Sequence, residues 1–257
     1  MLFRTSLLIL LLMSASAQAE SRLHVFAAAS LSAPLQSITN NFIKKAGIEV
    51  AITFASSSAL ARQIKQGAPA SVFITANPDW LDYIEKDNLI LQKSRRTILS
   101  NRLVIAAHKE QDIAPFSFPE HASVERLKLD SQRRIATGNP EHVPLGMYAK
   151  EALSNSGLWQ SWRPLLAPSN SARSALALTE RQETPIGIHY ESDIQQSNKL
   201  KRLSIIPESY HTPIRYEVSL IRGDKLDPAS QYYDYLFSKE AGSVFRHYGF
   251  IVLDSHQ

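Results

Sequence analysis

Leu23-His-Val-Phe-Ala-Ala-Ala-Ser-Leu31 is the stretch on which the reading of this chain turns. It begins as a short apolar strand, runs into small residues and ends at Ser30. A helical pattern starts at once, with Leu31, Leu35, Ile38 and Phe42 on one face at the 3.6-residue period. Ser30 therefore stands at a strand-to-helix junction, where unpaired backbone N–H groups and a hydroxyl can meet an anion. The alanines let a ligand or another backbone come close. A serine in this position more commonly caps its helix, so capping is the first expectation and anion contact the second.

The same junction recurs further along. Ile48 to Phe54 alternates, is rich in β-branched residues and reads as a strand. It ends in Ala55-Ser-Ser-Ser, and a helix with Leu60 and Ile64 runs to Gly67. Ser71 to Ala76 is a third strand. Asn77 then reads as an N-cap, with Pro78 at the first helical position and Trp80, Tyr83 and Ile84 facing the core. Three successive β-loop-α units imply parallel strands, which need crossovers, and helices on the sheet faces. In such sheets ligands bind beyond the C-terminal strand ends.

Past residue 97 the pattern changes. Thr97 to Ala107 reads as one long strand, able to leave one lobe and enter another, and Lys109 to Val124 reads as a polar loop. Arg134 to Gly138 is a short strand. Pro144 can open a helix, leaving the N–H groups of Leu145 and Gly146 without intrahelical partners. Trp159 and Trp162 pack in a short helix. Asn170 or Ser171 caps the next helix, whose stripe is Ala172, Ala175, Leu176 and Thr179. Pro185 to Tyr190 is a buried strand, a short helix follows from Ser192, and Leu203 to Pro207 is another strand. Ile214 to Ile221 alternates and is expected to carry the chain back. Helices opened by Asp227-Pro228 and capped by Ser238 end the pattern. The fold class is α/β: two doubly wound lobes joined by two crossover strands, with a ligand cleft between. The expected division is residues 20–100 completed by 217–257 for the first lobe, and 101–216 for the second.

Composition narrows the function. Arg4, the apolar run Leu7 to Met13 and the small residues Ala17 and Ala19 make residues 1–19 a cleavable signal peptide. The mature chain is expected to start at Glu20 and to be exported and soluble. Removing the signal leaves 27 basic against 24 acidic side chains, a balance of +3 that helps an anion approach but does not argue for nucleic acid. With no cysteine, disulfides, thiolate catalysis and cysteine-based zinc sites are excluded. There is no Gly-x-Ser-x-Gly elbow, P-loop, Gly-x-Gly-x-x-Gly or His-Glu-x-x-His motif. The eight histidines are scattered, and Glu141 and His142 make a weak acid–base pair. Arg62 and Arg173 read as solvated helix-face charges. What recurs is helix N-termini preceded by small hydroxyl residues, each with unpaired N–H groups and a positive dipole end. Converging, they would hold an anion without a cation, which suits reversible binding better than catalysis.

Several motifs together resemble a known family. They are Phe26-Ala-Ala-Ala-Ser-Leu31, Phe54-Ala-Ser-Ser-Ser-Ala-Leu-Ala-Arg-Gln-Ile64, Gly67-Ala-Pro-Ala70, Asn139-Pro-Glu-His-Val-Pro-Leu-Gly-Met-Tyr-Ala-Lys-Glu-Ala-Leu153, Ala175 to Arg181, Ile186-Gly-Ile-His-Tyr190 and Arg246-His-Tyr-Gly-Phe250. In this order the chain resembles the periplasmic molybdate-binding proteins of bacterial ABC molybdate transporters, over essentially its whole mature length. The resemblance implies a type II periplasmic binding fold that captures molybdate, and tungstate with it, and delivers it to a membrane permease with its ATPase. It implies no catalytic residue, no resident cofactor and a monomer. The oxyanion-binding set carried over is Ser30, Ser57, the backbone N–H groups of Leu145 and Ala172, and Tyr190. Leu145 stands where the family often has a small residue, Ala172 where it has valine, and Asn77 and Asn139 where it has aspartate. His189 is a further departure, weighed as a pH-sensitive group against a plain structural role, with the latter favoured.

Three rival readings remain at this point. The cargo is sulfate, thiosulfate or another oxyanion; or the chain is a secreted serine hydrolase; or the two lobes dock a sensor kinase without transport.

Overall fold

The computed structural model describes residues 22–223 and 225–253, so the expected signal peptide lies outside the described residues. Two sheets organise the chain. The first three strands, β1 (Leu23–Ala28), β2 (Val50–Ala55) and β3 (Val72–Thr75), pair in parallel with β1 in the middle. The helices between and after them are α1 (Ser32–Ala46), α2 (Ser57–Lys65) and α3 (Asp79–Glu85). The period-2 rule assigns the two faces of β1. Leu23, Val25 and Ala27 pack with Leu35, Ile38 and Phe42 of α1, whereas Phe26 packs with Leu60, Ile64, Leu81 and Ile84 of α2 and α3. Helix α1 stops where Gly47 takes φ 69°, a left-handed cap that glycine adopts without steric cost.

Three antiparallel strands complete this sheet: β4 (Arg96–Ser100), β10 (Arg215–Leu220) and β11 (Ile251–Val252), in the order β11-β4-β10-β3-β1-β2. The second sheet is β7-β6-β8-β5-β9, built from β5 (Leu103–His108), β6 (Ile135–Gly138), β7 (Leu166–Ser169), β8 (Ile186–Tyr190) and β9 (Leu200–Ile206). Its helices are α4 (Pro144–Asn155), α5 (Trp159–Trp162), α6 (Ala172–Glu180) and α7 (Glu191–Gln196). The last two helices are α8 (Leu226–Leu236) and α9 (Lys239–His247), the latter capped by Ser238, which accepts from Ala241 N. The α/β class and the two-sheet, two-crossing layout expected from the sequence are present.

Three details differ from expectation. The long strand read from Thr97 is two strands, broken at Asn101, whose Oδ1 accepts from Arg102 N at 2.9 Å in place of a ladder bond. β4 belongs to the first sheet and β5 to the second, so this break is the crossing itself. The return is made through residues 207–214, and β10 lies wholly in the first sheet. Two short edge strands, β7 and β11, escaped the sequence reading. β7 contains Pro168, which an edge tolerates because one side of the strand needs no donor.

Candidate functional site

The carboxyl ends of β1 and β2 in one sheet face the starts of α4 and α6 over the other. Between them is a narrow cleft lined by residues from both sides. All five residues implied by the resemblance, Ser30, Ser57, Leu145, Ala172 and Tyr190, line it, together with Ala28, Ala29, Ser56, Ala76, Val143 and Pro144. Among the described residues no lysine, arginine, histidine or carboxylate is in the lining.

Local sequence explains each placement. Ser30 lies in a tight turn, Ala29–Leu31, and its side chain does not cap α1, so the capping expectation is overturned. Its Oγ instead lies 3.0 Å from Tyr216 Oη. Ser56 takes the capping role for α2, accepting from Ala59 N at 3.3 Å. That frees Ser57, whose Oγ accepts from Ala76 N at 3.0 Å. On the opposite side, Pro144 occupies the first turn of α4 with no side-chain cap before it, so the next N–H groups lack intrahelical partners. The start of α4 presses on the end of β6 so closely that a Cβ on Gly146 would collide with the backbone of Gly138 and Asn139. Glycine is needed here for the start of α4 to lie this close to the end of β6. At α6, Ser171 and Ser174 form a capping box that takes up the N–H groups of those two serines. The Ala172 N–H is left out of it.

Tyr190 ends β8. Its hydroxyl is buried and has no hydrogen-bond partner among the described residues. Burial raises its pKa well above the phenol range, with Tyr216, Tyr148 and Asp193 adding to the effect, so it stays protonated and able to donate. Among the described residues no cluster of His, Asp and Glu could hold a metal ion.

Other polar contacts join the two sides. Ser58 Oγ lies 3.0 Å from His142 Nδ1, Tyr148 Oη donates to Ala76 O at 3.3 Å, and Arg173 Nε donates to Ser32 Oγ at 3.2 Å. Arg173 is thus not a simple solvated charge. Its other face lies 3.7 Å from Asp193, a fully buried carboxylate. Burial pushes Asp193 up to about 7 against the pull of Arg173, with Glu180 adding to the rise. Arg62 sits over the Trp80 ring at 5.8 Å. Asn77 Oδ1 accepts from Asp79 N at 2.8 Å, close to its expected capping role. His189 is fully buried, its Nε2 is 2.9 Å from Thr179 Oγ1, and burial drives its pKa down to about 3. It is a neutral, structural group at physiological pH and senses nothing there.

Among the described residues neither Ser30 nor Ser57 has a histidine hydrogen-bonded to it. The serine that does, Ser58, is buried outside the cleft lining. Tyr216 and Asn101, which stand behind Ser30, were missed by the sequence reading. Tyr216 lies 186 positions from its partner, and no local pattern marks it.

Comparison with known proteins shows the family. The family described as bacterial extracellular solute-binding protein matches residues 23–251. The molybdate-binding protein ModA of Escherichia coli is 42% identical over 233 residues, covering 91% of this chain and 90% of that protein. ModA of Haemophilus influenzae is 35% identical, with coverages of 90% and 91%. Among solved structures, the periplasmic molybdate-binding protein of Azotobacter vinelandii superposes with a TM-score of 0.77 at 22% identity, covering 91% of this chain and all of that one. The sulfate-binding protein SubI of Mycobacterium tuberculosis superposes at 0.73 with 13% identity, covering 91% and 87%, a likeness of fold alone. This chain belongs to the bacterial extracellular solute-binding protein family.

Proposed function

We propose that the chain is a periplasmic receptor for molybdate and tungstate that delivers its solute to an ABC permease. It is exported by a signal peptide cleaved after Ala19 and acts as a monomer, by binding and release without turnover and without a resident cofactor. In this reading residues 20–100 and 217–257 form one lobe and 101–216 the other. The solute is held by the hydroxyls of Ser30, Ser57 and Tyr190 and by the N–H groups of Leu145 and Ala172.

The observation that carries the reading is a cleft furnished with hydroxyl and helix-start donors and, among the described residues, no cationic side chain. A bare tetrahedral dianion offers acceptors only. Donors from both sides satisfy it, while protonated phosphate brings an O–H that finds no acceptor. Charge-assisted hydrogen bonds of roughly 1.5–3 kcal/mol each sum to tight binding after the cost of ordering is subtracted. The names of the sequence relatives favour molybdate over other oxyanions of this charge. Sulfate has the same shape with shorter bonds, so its rejection rests on cavity size.

Isothermal titration with molybdate, tungstate and sulfate tests the proposal. Tight binding of the first two and weaker binding of sulfate is expected. Sulfate binding tightest, or no heat from any of the three, would refute it.

A further inference from the structure

Two of the proposed donors are serine hydroxyls, and a serine hydroxyl accepts as readily as it donates. The group behind it decides where its proton points. Behind Ser57 is Ala76 N–H, at 3.0 Å. An N–H only donates, so the Ser57 oxygen accepts there and its proton is left for the cleft. Behind Ser30 is Tyr216 Oη, at 3.0 Å, which is itself reversible. Behind Tyr216 is Asn101 Nδ2, at a longer 3.5 Å.

The orientation of the Asn101 amide follows from its neighbours. Oδ1 faces two obligate donors, Arg102 N at 2.9 Å and Ser192 N at 3.4 Å. The NH₂ faces two hydroxyls, Ser192 Oγ at 2.8 Å and Tyr216. A flipped amide would set N–H against N–H. Asn101 and Tyr216 are both fully buried, which shields the chain of bonds from water.

We infer that Asn101 and Tyr216 are positioning residues that set the direction of the Ser30 proton. Asn101 Nδ2–H donates to Tyr216 Oη, Tyr216 O–H donates to Ser30 Oγ, and Ser30 O–H donates to the oxyanion. The inference rests on the oxyanion reading and deepens it. The donor character of the cleft is imposed from behind, by one backbone N–H and one side-chain amide that cannot reverse. Hydrogen phosphate is disfavoured because each serine meets the oxyanion with its proton, and accepting an O–H there would mean giving up that donated bond.

The test is a double-variant cycle of Asn101→Asp and Tyr216→Phe, titrated with molybdate, with thermal midpoints as a check on folding. A carboxylate at position 101 still accepts from Arg102 and Ser192 N–H, but it also accepts from Tyr216. Every proton in the chain then reverses, and Ser30 presents a lone pair to the solute. Tyr216→Phe alone is expected to weaken molybdate binding about tenfold, and Asn101→Asp about a hundredfold. The double variant is expected to bind at least about threefold more tightly than Asn101→Asp, because the reversed chain has been cut. An added charge or a packing loss would leave the double variant equal or weaker, and that result overturns the inference.

If Asn101→Asp does not melt cooperatively, competition by hydrogen phosphate against molybdate on Tyr216→Phe decides. A competitor gaining about tenfold relative to wild type supports the relay, and an unchanged ratio overturns it. A wild-type chain that takes up sulfate but no molybdate refutes the solute assignment alone, and the same cycle is then read with sulfate. A wild-type chain that binds neither overturns both.

Discussion

In the proposed receptor the two sides of the cleft solve one problem with different chemistry. The six-stranded side contributes the serine hydroxyls of Ser30 and Ser57, and the five-stranded side contributes the first turns of α4 and α6 together with Tyr190. A helix N-terminus aims its N–H groups by backbone geometry, whatever side chain is attached. A hydroxyl rotates and is aimed only by its neighbours. The first side is therefore sensitive to side-chain substitution at the contact. The second is sensitive to whatever holds a helix start in place.

That contrast can be broken at its strongest point with Gly146→Ala, which removes no proposed donor. A methyl group there meets the backbone of Gly138 and Asn139 and pushes α4 away. Molybdate affinity is expected to fall more than about a hundredfold by titration, with a lower thermal midpoint. Ser57→Ala comes next, at about 1.5–3 kcal/mol of binding. It also strands Ala76 N–H, so chemical denaturation should show a lower stability. Tyr190→Phe separates the two readouts. Binding weakens about tenfold, while the solute-free protein holds its stability or gains about 1 kcal/mol, because the lost hydroxyl is buried without a partner. The smallest effects are expected where the backbone is the donor. Leu145→Ala and Ala172→Val should each change affinity less than about threefold, and a large loss in both would dissolve the contrast.

A separate prediction concerns pH. His189, held near 3 by burial, contributes stability above its ordinary pKa of 6.5 that is lost as pH falls from 6.5 towards 3. Asp193, pushed up to about 7, acts in the opposite sense. Its neutral form is favoured in the folded chain, so stability falls as pH rises from its ordinary 3.8 towards 7. The two slopes oppose one another over most of the same window. Asp193→Asn should therefore make stability climb with pH between the two ordinary pKa values more steeply than wild type, by about 1.4 kcal/mol per pH unit. Urea denaturation across this range checks it, and an unchanged slope would mean that Asp193 is not held neutral.

Much of this was legible before any coordinates. The β-loop-α alternation from Leu23 to Ile84 is written in hydrophobic period, and small residues and Pro144 mark the junctions at Ser30, at Ala55 to Ser58 and at the start of α4, while the choice of Ser57 came through the family motifs. Leu145, Ala172 and Tyr190 were assigned through the family motifs and line the cleft with the two serines. What stayed hidden depends on distance along the chain or on burial. Ser30 read as a cap because its true partner is Tyr216, far away in sequence. Arg173 read as solvated because Asp193 belongs to another helix. The continuous strand through Asn101 failed because one side-chain oxygen replaces a ladder bond, a competition that apolar periodicity cannot reveal.

Asn101 stands at the first passage between the sheets, and Tyr216 is the second residue of the strand that follows the other passage. Their contact ties the two connections together. In the proposed receptor, a pair held at the connections between the halves would be kept as the cleft gapes, and with it the heading of the Ser30 hydroxyl, so that half of the recognition surface would already be set when the ion arrived and only the other half would have to come to it.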